Sequence, residues 1–163
     1  MTTLTERILR HPFFSGMKPE HVAIACHGAT ESRFEAGQII FSEGEPANRF
    51  YLIESGSVAL EAHEPADGTF PIQTLEAGEV LGWSWLFPPF TWHFRARVLT
   101  PTNVIALDGA HLLVAAERNA GFGYALMKKV GQILIHRLQA TRKQFVKGQL
   151  HGLLKDQGIM AMR

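Results

Sequence analysis

At 163 residues, 46% hydrophobic and 19% charged, the chain can build one well-packed domain, which excludes a disordered polypeptide. A formal net charge of +1 excludes strong whole-molecule attraction to nucleic acid or anionic membrane. The single cysteine, Cys26, excludes an internal disulfide and a multi-cysteine zinc site; set in VAIACHG, it reads as a buried thiol.

Residues 4–30 carry short helical patterns. Leu4, Ile8 and Leu9 share a face before Pro12, and Pro19 opens a second helix that Gly28 stops. The opening MTTLTERILRHPFF has no charged leader followed by an apolar run. No apolar stretch nears the roughly 20 residues that span a bilayer. The expectation is a cytoplasmic protein without membrane contact.

From Glu31 to Leu107 the period is two, and turn residues recur. The pieces are ESRFEAG, QIIFSEGEP, RFYLIESG, SVALEAH, the Asp67-Gly68 turn, PIQTLEAG, HFRARVL and NVIAL. Such short strands predict an antiparallel barrel or sandwich. Within SVALEAH, Val58, Leu60 and Ala62 share one side, with Ser57, Glu61 and His63 on the edge and the other. Between the last pieces lies GEVLGWSWLFPPFTWHFRARV, which holds all three tryptophans.

Beyond Asp108-Gly109 the period is helical again. AHLLVAAERN reads as a short helix and residues 123–148 as a long one. One stripe of the long helix, Met127, Gly131, Leu134, Leu138, Thr141 and Phe145, is spaced alternately four and three, as in a coiled-coil seam. A second is Leu126, Val130 and Ile133. Two stripes mean two partners, so a homodimer through this helix is expected. The bland alternative is one wide face on the chain's own barrel. Arg137, Arg142, Lys143 and Lys147 read as a solvated face, with DNA-backbone contact as the alternative.

The landmarks Phe34-x-x-Gly37-x-x-Ile40-Phe41-x-x-Gly44 and Tyr51-x-Ile53-x-x-Gly56-x-Val58 resemble the cyclic-nucleotide-binding domain of catabolite-activator and redox-regulator proteins, over about residues 8–147. The resemblance implies a mainly β fold with flanking helices, an eight-stranded antiparallel jelly-roll (double-stranded β-helix) barrel with a long C-terminal helix. It implies a domain over residues 1–148 and a tail over 149–163. It also makes the tryptophan-rich stretch a phosphate cassette, in which a helix start and an arginine hold the cyclic phosphate and a glutamate binds the ribose.

Gly78, Glu79, Leu81, Gly82 and Leu86 match that frame. Trp83 falls at the ribose glutamate. Trp92 falls at the phosphate arginine with His93 at the neighbouring hydroxyl residue, or His93 falls at the arginine in a shifted register. Arg95 and Arg97 follow in the strand and are expected to face outward. The cassette residues singled out are therefore Gly78, Glu79, Gly82, Trp83, Ser84, Trp92 and His93, with Ser84 as the cap of a short helix. Either the indoles fill the pocket, or they line a slot for a flatter, less anionic ligand, or a cyclic nucleotide binds by other contacts.

The eight histidines show no metal-ligand spacing, so no metal is expected. His93 alone falls in the cassette, where some relatives of the fold bind haem. No G-x-S-x-G motif is present, because Leu86 stands at the last glycine. The expected function is a stand-alone regulatory or sensor module, not an enzyme, with a degenerate cassette. No cofactor is assigned beyond a cyclic nucleotide or other small effector, and the protein partner is unknown. The family's transcription factors carry a helix-turn-helix after the long helix; HGLLKDQGIMAMR is too short for that reader. The alternatives are a constitutive interaction scaffold with a filled pocket and a cupin-like metal enzyme.

Overall fold

The computed structural model describes residues 2–156, with side chains through residue 149. The chain divides into two compact units, Met1–Leu126 and Met127–Arg163. Of the expected tail, 149–163, residues 157–163 lie outside the described residues, as do the side chains of Leu153, Leu154, Ile159 and Met160.

The first unit opens with α1 (Leu4–Arg10). Across its first turn the Thr3 hydroxyl accepts from the Glu6 N–H at 3.2 Å, and the Glu6 carboxylate accepts from the Thr3 N–H at 2.8 Å. A 3-10 turn, Pro12–Phe14, and α2 (Pro19–Cys26) follow, each with proline in its first turn, where the missing N–H is not needed. The strands are β1 (Thr30–Phe34), β2 (Ile39–Phe41), β3 (Arg49–Glu64), β4 (Gly68–Glu76), β5 (Val80–Leu81) and β6 (Arg95–Asp108). Asp108 caps α3 (Gly109–Arg118), its carboxylate accepting from the His111 N–H at 3.2 Å. Last comes α4 (Ala120–Asp156), which starts earlier and runs further than the sequence pattern suggests.

The expected mainly β architecture with flanking helices is present, but among the described residues eight strands in a closed barrel are not. Six antiparallel strands there form one sheet. Its path runs β1–β6–β3–β4, with β2 on β6 and β5 on β3, and does not return on itself. The reason lies at Gly56 and Pro101. Read as turns, each divides a strand in two. In the fold both lie inside single strands, β3 of 16 residues and β6 of 14. The β3–β6 register slips between Ile53 and Val58. Gly56 has φ +96°, and a Cβ there would lie 2.3 Å from Thr102 Oγ1 and 2.5 Å from the Pro101 carbonyl oxygen. Both strands bend together at a bulge that only glycine accommodates.

Phe50 and Tyr51 are neighbours in β3 and so face opposite ways. On the Phe50 side, Phe13 lies 5.0 Å from both Phe14 and Phe50, and Trp85 lies 5.5 Å from Phe50. This is the core that the N-terminal helices cover. On the Tyr51 side, the rings of Tyr51, Phe41 and Trp92 form a second cluster. Arg7 ties α1 to the sheet: its Nε donates to Glu54 at 2.9 Å, and its terminal nitrogens pair with Glu54 and Glu31.

Candidate functional site

The tryptophan-rich segment is held at both ends by backbone bonds. At its start Gly78, at φ +89°, donates its N–H to the Ile53 carbonyl at 2.9 Å, and the Ile53 N–H donates to the Glu79 carbonyl at 3.0 Å. The Glu79 carboxylate accepts from the Glu76 N–H at 2.7 Å, which closes the turn. β5 then pairs with β3, Leu81 opposite Tyr51. At the far end the Ala47 N–H donates to the Phe90 carbonyl at 2.7 Å. The Trp92 N–H donates to Glu45 at 3.0 Å, and the Gly44 N–H donates to the Trp92 carbonyl at 2.9 Å. Phe90 sits at φ +57°, a left-handed conformation that stores strain in a non-glycine residue.

Those bonds aim Trp92 inward. Its ring stacks on Phe41 with centroids 3.9 Å apart and planes 13° from parallel, and the residue is 4% exposed. The six-membered edge closes over Gly82, where a Cβ would fall 2.6 Å from both Cη2 and Cζ3. Between these ends, Ser84–Leu86 forms a 3-10 turn. Trp83, not Ser84, holds the cap position, and no side-chain cap bond forms there. The Ser84 cap reading is therefore corrected: the turn is too short to leave Ser84 outside it. Trp83 is half-buried and His93 is exposed.

The cassette reading missed Trp85. It is 2% exposed, packs against Phe50, and meets the first residue of α3. Its indole N–H is buried with no acceptor among the described residues. The signal available was the W-S-W spacing, which puts a second indole two residues from Trp83 on the same turn.

A family model described as the cyclic nucleotide-binding domain matches residues 31–119, more than half of the chain. The chain belongs to the cyclic nucleotide-binding domain family. Among curated relatives, a CRP-like cAMP-activated global transcriptional regulator of Mycobacterium tuberculosis is 27% identical over 106 residues, 64% of this chain and 47% of the relative. This chain thus spans about half the length of that relative. Among solved structures, a Geobacter metallireducens protein described as cyclic-nucleotide-binding is 26% identical with TM-score 0.75, over 83% of this chain and 98% of that one. A cyclic nucleotide-binding domain from Methylobacillus flagellatus shares the fold with TM-score 0.77 at 19% identity, over 88% and 83%. The matched relatives differ in kind, from that transcriptional regulator to an acetyltransferase of Mycolicibacterium smegmatis that matches over 43% of this chain.

The two arginines that follow the tryptophan-rich segment face away from it. Phe41, the partner of Trp92, is opposite Ala96, whereas Ile39 is opposite Arg97. Arg95 and Arg97 instead converge on Glu61, which is 5% exposed. Arg95 Nη2 donates to Glu61 Oε1 at 2.9 Å and Arg97 Nη2 donates to Oε2 at 3.0 Å. Arg97 foremost, and then Arg95, hold the Glu61 carboxyl below its ordinary pKa, while burial pushes the other way. Glu61 thus lies under the two long side chains, on the side of β3 opposite Val58 and Leu60.

A cleft of about 440 Å³ is lined by Arg7, Glu31, Ser32, Glu54, Ser55 and Asn103 among others, and by none of the tryptophans. Cys26 is half-buried, and burial raises its thiol pKa against a lowering hydrogen bond from Thr5. The rings of His27 and His111 lie 4.9 Å apart. Among the described residues no three His, Cys, Asp or Glu side chains gather as a metal site, and no helix is long and apolar enough to cross a membrane.

In α4 the two stripes differ in exposure. Leu126 and Val130 are buried, while Met127, Thr141, Leu138 at 69% and Phe145 at 63% are exposed; Leu134 is half-buried. Arg137 is buried, which removes it from the solvated basic face.

Proposed function

We propose that this chain is a cytoplasmic regulatory module of the cyclic nucleotide-binding family whose cassette holds its own indole rings in place of a nucleotide. The observation that carries the reading is Trp92, stacked on Phe41 and closed over Gly82. The family resemblance puts an arginine at Trp92, or at His93 in a shifted register, and a glutamate at Trp83; neither register supplies a guanidinium, and an indole cannot pair with a ribose diol as a carboxylate does. Each lost charge-assisted hydrogen bond costs about 1.5–3 kcal/mol. Two losses weaken nucleotide binding by roughly two to four powers of ten.

The module passes its state outward through α3, since Trp85 of the cassette turn abuts Gly109. It acts on a protein partner as a homodimer. The stripe Met127, Leu134, Leu138, Thr141 and Phe145 supplies the seam between copies, and the exposure of Leu138 and Phe145 supports this. Isothermal titration with cyclic AMP, cyclic GMP and cyclic dinucleotides tests the cassette. The expected result is no binding, and a dissociation constant below about 10 µM for any of them overturns the reading.

A further inference from the structure

His11 belongs to none of the sites above, yet it is 5% exposed and both ring nitrogens are engaged. It follows α1 and caps the Pro12–Phe14 turn, Nδ1 accepting from the Phe13 N–H at 3.2 Å. An accepting Nδ1 leaves the proton on Nε2, which donates to the Ile53 carbonyl at 3.1 Å. That same carbonyl receives the Gly78 N–H at 2.9 Å, the bond that starts the cassette. Beside it, Pro12 Cγ lies 3.3 Å from where a Cβ on Gly78 would stand. One backbone oxygen of β3 therefore joins the N-terminal helices to the tryptophan-bearing segment.

We infer that His11 positions the cassette through Ile53, and that protonating His11 releases the N-terminal helices from it. A proton on Nδ1 sets donor against donor with the Phe13 N–H, and it places a cation in a site closed to water. Of the charged groups on the surrounding elements, the Glu54 carboxylate favours that cation but is already shared with Arg7. Arg7 on α1 is committed to Glu31 of β1 and Glu54 of β3, and Arg10 is exposed. The Glu79 carboxylate is turned onto the Glu76 N–H. Burial lowers the His11 pKa from its ordinary 6.5, against raising contributions from the Ile53 carbonyl and Glu54. The folded chain therefore takes up this proton later than the unfolded chain. The stability that neutral His11 contributes is complete above 6.5 and is lost as pH falls toward the folded value.

The inference rests on residues 78–93 being the cassette, but not on the indoles replacing a nucleotide, so the calorimetric titration can fail while this stands. All three tryptophans lie in that segment, so intrinsic fluorescence of the full chain reports it directly. On titration from pH 8 downward (about neutral to acid), the emission maximum is expected to shift to longer wavelength with a midpoint below 6.5, while far-ultraviolet circular dichroism holds. His63→Gln removes an exposed imidazole of β3 outside the cassette and should keep the transition. His11→Gln retains a neutral donor toward Ile53 and should abolish it. A wild-type chain without a transition before helix loss overturns the inference, and so does a transition that survives in His11→Gln. Should His11→Gln fail to fold, the His11 ring resonances of the wild-type chain must titrate with the fluorescence midpoint; a mismatch overturns it equally.

Discussion

Trp85 occupies the space that a side chain at Gly109 would need. A Cβ on Gly109 would fall 2.8 Å from the Trp85 Cβ and 2.9 Å from its Cγ, with the Asn48 carbonyl oxygen at 3.0 Å. Contacts that short force the backbone or the indole to move, and overpacking of this kind costs about 1–3 kcal/mol. Gly109→Ala should lower the unfolding free energy in urea by that amount, through an earlier midpoint at an unchanged slope. A Gly109→Ala variant as stable as the wild type would mean that the Ser84–Leu86 turn and α3 are not in close contact.

Removing the Trp92 ring should leave an indole-shaped void between Phe41 and Gly82. Trp92→Ala is expected to lose about 3–5 kcal/mol. Free indole should then raise the melting temperature of the variant and leave that of the wild-type chain unchanged, because only the variant has room for it. Thermal unfolding with and without indole checks this. Equal response by both proteins would mean that the ring is not what fills the space.

Glu61→Gln keeps the shape of the buried side chain and leaves Arg95 and Arg97 facing a neutral amide. A lower urea midpoint is expected near neutral pH, the loss being moderated by water around the partly exposed Arg95 and Arg97. The sign with pH follows from the direction of the Glu61 shift. Its carboxyl is held below the ordinary 4.5, so its contribution is complete above 4.5 and disappears as pH falls through the folded value. Acid unfolding curves of wild type and Glu61→Gln should therefore converge at low pH. Curves that remain parallel to the acid limit would show that the ion pair does not contribute.

A charge in the exposed stripe of α4 should prevent pairing between copies. Leu138→Glu and Phe145→Glu are each expected to sediment as monomers where the wild-type chain sediments as a dimer, with unchanged melting of the sheet unit. A wild-type chain that is monomeric at micromolar concentration removes the seam.

Much of the fold is written in local pattern. Turn glycines, strand alternation and the helical period of the last region determine the order of elements, because each depends on residues close together in the chain. The two stripes of α4 are likewise legible, since Leu126 and Val130 against Leu138 and Phe145 differ only by position around one helix. So is the lack of arginine between Gly78 and Phe94, which is a matter of composition. Tertiary structure alone decided the rest. Gly56 and Pro101 become bulges because β3 and β6, far apart in the chain, bend against each other. Trp85 and Trp92 part to opposite faces of β3 because one meets Phe50 and the other Phe41. Glu61 is buried because cross-strand pairing brings Arg95 opposite it and Arg97 alongside. Each of these outcomes depends on strand register, and register is set by contacts between segments that no local window contains.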